Sequence, residues 1–284
     1  MTKSFSEIVD DSYQENHVLI VDALNLAFRW KHSGALEFVD DYIKTVNSLA
    51  QSYKASKIII ASDSGNSSFR KNILETYKGA RKEKFAEQTE AERLEFELFF
   101  QEFNRTIEAL MNNPKYTVFR FDKTEADDIA AYIVKNRKKF GYSTIWMASS
   151  DKDWDLLVSK GVSRFSYVTR KEITIDNWNE HYDWSQDEHI SIKCLQGDSG
   201  DSVPGVPGVG PKRAFDLVRS YGSAMDIAES IPLPGKQKFI QAVNDFGAEG
   251  IYRNYQLMDL LSYCDEAIGE KNCKIIDSVL TGTY

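Results

Sequence analysis

The chain has few of the residues that build closed metal sites and disulfide frameworks. Its three cysteines, Cys194, Cys264 and Cys273, are scattered without a Cys-x-x-Cys pair, and its four histidines form no cluster. An odd, scattered set of cysteines argues against both a disulfide framework and a zinc site, and fits a reducing compartment. We therefore expect any metal site in this protein to use oxygen ligands.

The chain also lacks a long apolar run and an excess of positive charge. No apolar run is long enough to span a bilayer, and the polar, acidic start MTKSFSEIVDDSYQEN predicts no secretory signal. The net charge of −8 on its own disfavours a nucleic-acid partner. A negative total charge is nevertheless compatible with DNA binding if several acids converge on metal ions, because the ions neutralise them there.

What the chain does contain is an alternation of short apolar runs and helical patterns. The runs are rich in β-branched and aromatic residues, and most are apolar throughout, as buried parallel strands are. Helical patterns such as Phe38–Tyr53 and Asp127–Lys135 lie between them, which predicts an α/β fold with a mostly parallel sheet. Beyond about His189 the chain is helical and broken by Gly and Pro, which predicts a smaller C-terminal region. The four predicted strands are His17–Val21, Lys57–Ala61, Tyr116–Phe121 and Thr144–Ala148.

The segment from Ser64 to about Asn113 differs from its surroundings. It is long, highly charged and poor in strand signals, and it begins basic before turning acidic and aromatic. Two interpretations are open. The segment is either a pair of helices packed on the sheet or a mobile helical excursion over an active site.

Acidic residues follow the predicted strands at the points where the strands end. Asp22 follows the first strand directly, and Asp63 follows the second after one serine. In open α/β sheets ligands bind outside the carboxyl ends of the strands, so acids from distant parts of the chain are expected in one crevice. The other acids expected there are Glu125, Asp127 and Asp128 after the third strand, and Asp151 and Asp153 after the fourth.

Two interpretations of the Glu125 cluster remain open. Thr124 can cap the helix Asp127–Lys135, since Asp127 follows it at a capping-box-like spacing, and the acids then serve only the helix start. The alternative is a metal site, because several ionised carboxylates cannot share a dry crevice without counter-charge. Acid-only oxygen ligands select Mg²⁺ or Mn²⁺, and two such ions about 3.5–4 Å apart clamp the attacking and leaving oxygens of a phosphodiester.

A Gly- and Pro-rich turn lies within Ser191–Pro211 and runs into a further helix. Asp198 and Asp201 in this turn are three residues apart, within reach of one metal. Pro211 suits the first position of a helix, whose free N–H groups together with two cations make a candidate anion site. The alternative is an ordinary loop with solvated charges. The residues of the candidate anion site are Gly208, Gly210, Lys212 and Arg213.

Taken in order, the motifs VDALN, SDSGNSSFR, YKGAR, EADD, SSDKDWD, GDSGD and GVPGVGPKR resemble those of the 5′-nuclease or flap-endonuclease superfamily. The chain is most similar to the stand-alone 5′-exonucleases of tailed bacteriophages, and less so to the N-terminal nuclease domain of bacterial DNA polymerase I. The resemblance runs from about Val18 to Gly235. It implies a PIN-like (resolvase-like) α/β fold with flanking helices and a helical arch over about 65–113, followed by a helix–three-turn–helix motif.

The resemblance also implies roles for the matching residues. Lys78 and Arg81 would contact the scissile phosphate from the base of the arch, and Tyr77 would face the DNA bases. Lys193 would contact a further phosphate, and the hairpin Gly205–Arg213 would grip duplex backbone. In some relatives this hairpin holds K⁺. The catalytic set would be Lys78, Arg81, Asp22, Asp127 and Asp151. The first metal group would be Asp22, Asp63, Glu125, Asp127 and Asp128, and the second would be Asp151, Asp153, Asp198 and Asp201.

These observations predict a structure-selective 5′-nuclease that hydrolyses DNA phosphodiesters with two Mg²⁺ ions, which Mn²⁺ can replace. Its substrates would be 5′ flaps, free 5′ ends and single-strand/duplex junctions in replication or repair. We expect a monomer in the cytoplasm, or in the host cytoplasm if phage-encoded, with a catalytic domain at 1–189 and a helical DNA-binding region at 190–284. The alternatives are a PIN-type ribonuclease, which shares the crevice, and a non-catalytic DNA-binding module, which needs no acids.

Overall fold

The four apolar runs that predict strands form the centre of one sheet. The computed structural model describes residues 14–283, and its sheet has the strand order β3-β2-β1-β4-β5-β6. The first five strands of that order are parallel, and β6 pairs antiparallel with β5. The four predicted strands are confirmed, and two were missed. The bounds are β1 Gln14–Asp22, β2 Ala55–Ser62, β3 Tyr116–Arg120, β4 Thr144–Ala148, β5 Val162–Ser166 and β6 Lys171–Ile173.

Helices cover both faces of the sheet, which explains why its central strands are apolar throughout. Along β1, Val18 and Ile20 pack on one face, and Leu19 and Val21 pack on the other. A strand buried on both sides needs no polar alternation. The predicted helices Phe38–Tyr53 and Asp127–Lys135 are confirmed within a residue at each end as α2 and α6. The helices of this part are α1 Ala23–Ser33, α2 Val39–Ser52, α3 Ser68–Ile73, α4 Gly79–Ala86, α5 Glu90–Met111 and α6 Ala126–Lys135.

The predicted capping of α6 by Thr124 is wrong. Glu125 is the N-cap residue and makes no side-chain cap, while the Thr124 hydroxyl donates to the carbonyl of Asp122 at 3.3 Å. The carboxylate of Asp63, from the end of β2, accepts from the first amide of the helix, that of Ala126, at 3.2 Å. A free amide at the helix start therefore has its hydrogen-bond partner in an acid from another strand end. The positive end of the helix dipole faces the acidic crevice.

The segment between Ser64 and Asn113 has one part that packs on the sheet and one part that is exposed, while its mobility over an active site stays a prediction. The second half of α5 packs on the sheet through Phe103, Ile107 and Leu110. By contrast, most side chains between 83 and 98 are exposed, and a Thr89–Glu92 capping box separates α4 from α5. We call residues 79–98 the arch segment. It begins at the candidate site described below and leaves the sheet before α5 returns to it.

The C-terminal region is helical, as predicted, and has a core of its own. The four helices between residues 186 and 258 share one hydrophobic cluster, whereas the two helices between residues 260 and 281 join the cluster around α6. The Tyr132 hydroxyl on α6 donates to Asp277 at 3.0 Å, so the last helices, which carry no recognisable motif, brace the sheet domain. The division at 189/190 stays a prediction, and α7 runs across it. The helices are α7 Gln186–Gln196, α8 Pro211–Tyr221, α9 Ala224–Glu229, α10 Lys238–Met258, α11 Leu260–Ile268 and α12 Glu270–Thr281.

Two expectations from the sequence concern membranes and secretion. No helix within residues 14–283 is long and apolar enough to cross a membrane. Most of the N-terminal segment that predicted the absence of a secretory signal lies outside the described residues.

Candidate active site

The acids at the ends of β1 and β4 are joined by one buried serine. Asp22 caps α1 by accepting from the amide of Asn25 at 3.2 Å. The Ser149 hydroxyl donates to the other oxygen of Asp22 at 2.7 Å and accepts from the amide of Asp151 at 3.1 Å. Asp22 is 4% exposed, and Ser149 is fully buried. The two strand ends thus present their carboxylates side by side, as the sequence predicted.

The acids after β2 and β3 reach the same crevice through α6. Asp63 binds the amide at the start of α6, and Asp127 in its first turn accepts from the indole of Trp154 at 2.6 Å. Trp154 lies in the 3₁₀ helix Lys152–Leu157, whose N-cap is Asp151. The 3₁₀ helix and α6 therefore meet at the site, and each contributes an acid from its first turn or cap.

The pKa values of these acids show that the carboxylates converge. Burial raises the pKa of Asp127 well above its usual value, and the charges of Asp151, Asp22 and Asp63 raise it further. Burial and the charge of Asp63 raise the pKa of Asp22 in the same way. Burial and the neighbouring Asp153 raise the pKa of Asp151 to about 6. Each carboxylate opposes the ionisation of its neighbours, so the crevice lacks positive charge.

Two lysines supply part of the missing charge. The Lys78 ammonium lies 2.7 Å from Glu125 and 3.8 Å from Asp201. The Lys193 ammonium lies 2.5 Å from Asp153 and 3.9 Å from Asp198. Each lysine therefore bridges an acid of the sheet domain and an acid of the C-terminal region.

The pKa of Glu125 is shifted in the direction opposite to the pKa values of Asp22 and Asp127. Burial would raise the pKa of Glu125, but Lys78 and Arg70 outweigh it and hold the pKa below its usual value. Lys78 also has a left-handed backbone with φ of 55°. A non-glycine residue adopts this conformation at a cost, so the surrounding contacts must hold it there.

A C-terminal loop ties the second acidic group to the base of the arch segment. Asp198 and Val203 exchange two backbone hydrogen bonds of 2.9 and 2.7 Å, which close the loop that carries Asp201. The carbonyl of Asp201 accepts from the amide of Lys78 at 2.8 Å, and the Ser202 hydroxyl accepts from the amide of Ala80 at 3.1 Å. The start of α4 is thus capped from the C-terminal region.

The expectation that Tyr77 faces DNA bases is wrong for this structure. Its side chain is 3% exposed and packs in the C-terminal hydrophobic cluster, so neither ring face is open to a base. Its hydroxyl oxygen lies 3.0 Å from a Glu125 oxygen and 2.8 Å from an Asp201 oxygen, so its one proton can be donated to either carboxylate. Tyr77 orients two acids from different regions. Arg81 is by contrast largely exposed, and it pairs with Asp201 at 2.6 Å.

Asp128 is a predicted metal-site acid whose carboxylate already has a cation partner in the protein. It is fully buried, and its two oxygens accept from the two terminal nitrogens of Arg70 at 2.7 Å each. A carboxylate held by a bidentate guanidinium has little capacity left for a cation. We therefore leave Asp128 out of the proposed ligands.

The predicted hairpin before α8 is present, with Pro211 as the first helical residue. An added Cβ at Gly205 would lie 1.9 Å from the carbonyl oxygen of Gln196, so this glycine is needed for close packing on α7. Gly208 has a φ of 74°, and an added Cβ at Gly210 would meet open space. The hairpin therefore has both a packed side and an open side.

The two cations of the hairpin have different surroundings. The Arg213 guanidinium donates to the carbonyl of Gly208 at 2.6 Å and lies over the ring of Phe239 at 5.5 Å. Arg213 therefore braces the hairpin from within. Lys212 is exposed next to it at the helix start and is available to an anion.

Family profiles match the chain along most of its length. Residues 17–183 match the 5′-3′ exonuclease N-terminal resolvase-like domain, and residues 185–277 match the 5′-3′ exonuclease C-terminal SAM fold. The chain belongs to the 5′-3′ exonuclease family.

Individual relatives agree with this assignment. The flap endonuclease of Escherichia phage T5 is 39% identical over 283 residues, which cover 98% of this chain and 96% of that protein. A solved structure of a T5 D15 flap endonuclease variant, in a pseudo-enzyme–product complex with DNA and metal ions, matches with a TM-score of 0.88 and covers 94% of this chain and 98% of that chain at 39% identity. DNA polymerase I of Bacillus subtilis is 27% identical over 248 residues, 82% of this chain and 26% of that protein.

Membership of the 5′-3′ exonuclease family confirms the predicted fold class and the prediction of a 5′-nuclease. Several residues that shape the site were not predicted. Neither Ser149, which lies between β4 and Asp151, nor Arg70, which lies in a basic stretch, was among the candidate site residues. The position of Ser149 between a strand end and an acid was the available signal. No local signal in the sequence indicated the pairing of Arg70, because its partner Asp128 lies 58 residues away.

The donor chemistry fits hydrated divalent cations better than a closed metal cage. Within residues 14–283, no group of three or more acidic, histidine or cysteine side chains encloses a metal position. Mg²⁺ normally keeps several waters and binds one or two carboxylates together with substrate phosphates. A crevice lined by carboxylates that oppose one another's ionisation meets that requirement.

The raised pKa of Asp151 predicts how metal-free stability depends on pH. In the unfolded chain Asp151 ionises near its ordinary pKa of 3.8, but in the fold it ionises at about 6. The fold therefore loses stability as pH rises from about 4 to 6, and the loss is complete above that range. In EDTA, Asp151→Asn should raise the melting temperature by a few degrees at pH 7.5 and by about half as much at pH 5. Thermal melting at the two pH values measures this.

A matched control for this experiment is Asp176→Asn, because Asp176 is an exposed acid away from the crevice. Its melting temperature should follow that of the native chain at both pH values. A lower melting temperature for Asp151→Asn at pH 7.5 would mean that Asp151 serves the fold as a helix cap rather than opposing it.

Proposed function

We propose that the chain hydrolyses DNA phosphodiesters at 5′ flaps, free 5′ ends and single-strand/duplex junctions, with two divalent cations in the carboxylate crevice. The observation that carries the proposal is a set of buried acids, from four strand ends and one C-terminal loop, that raise one another's pKa. Family membership and the DNA and metal ions named in the T5 complex support it.

The first cation would be held by acids of the sheet domain, and the second by acids shared with the C-terminal region. Bound there, the ions would polarise the scissile phosphate and lower the pKa of an attacking water. Mg²⁺ is the proposed ion and Mn²⁺ its substitute, since the donors are all carboxylates. The proposed ligands are Asp22, Asp63, Glu125 and Asp127 for one ion, and Asp151, Asp153, Asp198 and Asp201 for the other.

The cations of the site would act directly on DNA. Lys78 is held rigidly between Glu125 and Asp201, so its ammonium can stabilise charge that develops on a phosphate bridging the two acidic groups. Arg81 is exposed on α4, one helical turn from Lys78, and is placed to bind an adjacent phosphate. Lys193 is the corresponding cation on the C-terminal side.

The hairpin before α8 is the proposed grip on duplex DNA. Its open glycines, free helix-start amides and the exposed Lys212 suit a phosphate backbone. K⁺ at this hairpin stays a prediction from the family resemblance. We also propose that the chain works as a monomer in the cytoplasm, with a catalytic domain at 1–189, whose site is completed by Asp198 and Asp201, and a helical DNA-binding region at 190–284.

Two alternatives make different predictions. A non-catalytic DNA-binding module has no use for the crevice, yet the carboxylates are all present and oriented by Ser149, Tyr77 and two lysines. A PIN-type ribonuclease shares the crevice but needs no duplex grip. The hairpin therefore favours a DNA duplex with a single-stranded 5′ arm.

A 5′-flap DNA labelled at its 3′ end tests the proposal. With Mg²⁺ or Mn²⁺ we expect cutting near the junction, and with EDTA we expect none. Ca²⁺ should support binding without cutting, because its looser geometry holds the two reacting oxygens poorly. Product lengths on a denaturing gel decide the result. Equal turnover in EDTA would refute the metal mechanism, and faster cutting of an all-RNA single strand would favour the ribonuclease.

Lys78→Ala tests the central cation of the site. Because its charge acts where negative charge develops, the single-turnover rate should fall roughly 10²–10³-fold. Affinity for DNA should change only a few-fold, since the hairpin still holds the duplex. The matched control is Lys84→Ala, an exposed lysine of α4, the helix that Lys78 precedes, and this variant should keep most of the rate. A near-normal rate for Lys78→Ala would remove Lys78 from the chemistry.

A further inference from the structure

The ion pair between Arg70 and Asp128 is buried next to the active site. Arg70 is 4% exposed and Asp128 is 0% exposed. The guanidinium makes two parallel hydrogen bonds of 2.7 Å to the carboxylate, and its Nε donates to the carbonyl of Leu257 at 2.9 Å. A buried pair with its hydrogen bonds made is tolerated, but removing one partner leaves an uncompensated charge at high cost.

This pair joins three elements that meet at the site. Arg70 lies on α3, Asp128 lies in the first turn of α6, and Leu257 lies near the end of α10. The pair therefore fixes the segment leading to Lys78 against the helix that carries Asp127, and both against the C-terminal region.

Glu125 is the active-site acid that this arrangement positions. One terminal nitrogen of Arg70 lies 3.5 Å from a Glu125 oxygen. The amide of Ser67 donates to the other oxygen at 3.2 Å, and the Ser67 hydroxyl caps α3 by accepting from the amide of Arg70. Glu125 in turn contacts Lys78 at 2.7 Å. A shift of Arg70 would thus move Glu125 and, through it, the ammonium of Lys78.

We propose that Asp128 is a positioning residue that anchors Arg70, and not a metal ligand, and that the Arg70–Asp128 pair sets the placement of Glu125 and Lys78. The adjacent acids Asp127 and Asp128 then have opposite roles. Asp127 accepts from the indole of Trp154 at the crevice, whereas Asp128 accepts from a guanidinium and so already has its cation within the protein. The catalytic part of this inference rests on the proposed function; the stability part does not.

Asp127→Asn and Asp128→Asn form a matched pair for thermal melting in EDTA at pH 7.5. Asp127→Asn should raise the melting temperature by a few degrees, because it removes a repelled charge. Asp128→Asn should lower it by roughly 10 °C, because Arg70 is left buried without a counter-charge. A melting temperature for Asp128→Asn at or above that of the native chain would overturn the proposal, since that is the behaviour of a metal ligand.

A double variant, Arg70→Met with Asp128→Leu, separates positioning from folding. Replacing both partners by apolar residues should restore at least half of the melting temperature lost in Asp128→Asn. Calorimetric titration should show that this variant binds as many Mn²⁺ ions as the native chain. Its single-turnover rate should still fall about 10-fold while DNA affinity stays within about 3-fold, because Glu125 has lost its support. A native rate, or the loss of a bound Mn²⁺, would contradict the proposal.

Arg70→Lys serves if the double variant does not fold. A lysine keeps the buried charge balanced but cannot make the bidentate contact or reach Leu257 as well. We again expect a lower single-turnover rate with little change in DNA affinity. A native rate would contradict the proposal that the pair positions Glu125 and Lys78. Should the native chain cut no DNA at all, the proposed function fails, while melting in EDTA and the count of Mn²⁺ ions still decide the role of Asp128.

Discussion

Buried negative charge at the carboxyl edge of a parallel sheet is the constraint on which the rest of this structure depends. Parallel strands end at one edge, so acids that follow β1, β2, β3 and β4 are forced into one crevice. Burial and mutual repulsion raise the pKa of Asp22, Asp127 and Asp151. The fold keeps this arrangement because the core beneath it is large and apolar on both faces of the sheet.

Lysines of the surrounding elements neutralise part of this negative charge, and the remaining charge is available to bind cations. Lys78 and Lys193 each bridge an acid of the sheet domain to an acid of the C-terminal region, so the regions are joined by charge as well as by packing. The Ser202 hydroxyl caps the helix that begins the arch segment. The site is therefore complete only when the sheet, the arch segment and the C-terminal loop are assembled.

The sequence predicted the centre of the sheet and the convergence of acids, because apolar runs and strand-end acids are local signals. It did not predict β5, where the buried Arg164 interrupts the apolar pattern and is compensated by Asp155 at 2.5 and 2.8 Å. The family resemblance placed Tyr77 on DNA, and nothing in the local sequence indicates that this tyrosine is buried. Asp127 and Asp128 differ in their surroundings because Asp128 pairs with Arg70. A single sequence does not reveal a partner so distant along the chain.

The most direct test of this account is the melting temperature of the metal-free protein as Mg²⁺ is added, with KCl controls at equal ionic strength. Cations that bind the folded crevice should stabilise it increasingly with concentration. We expect such a rise for the native chain and little rise for a variant carrying both Asp127→Asn and Asp151→Asn, which should start from a higher value in EDTA. Equal rises in both proteins, or no rise in the native chain, would contradict the claim that the carboxylate crevice is a divalent-cation site.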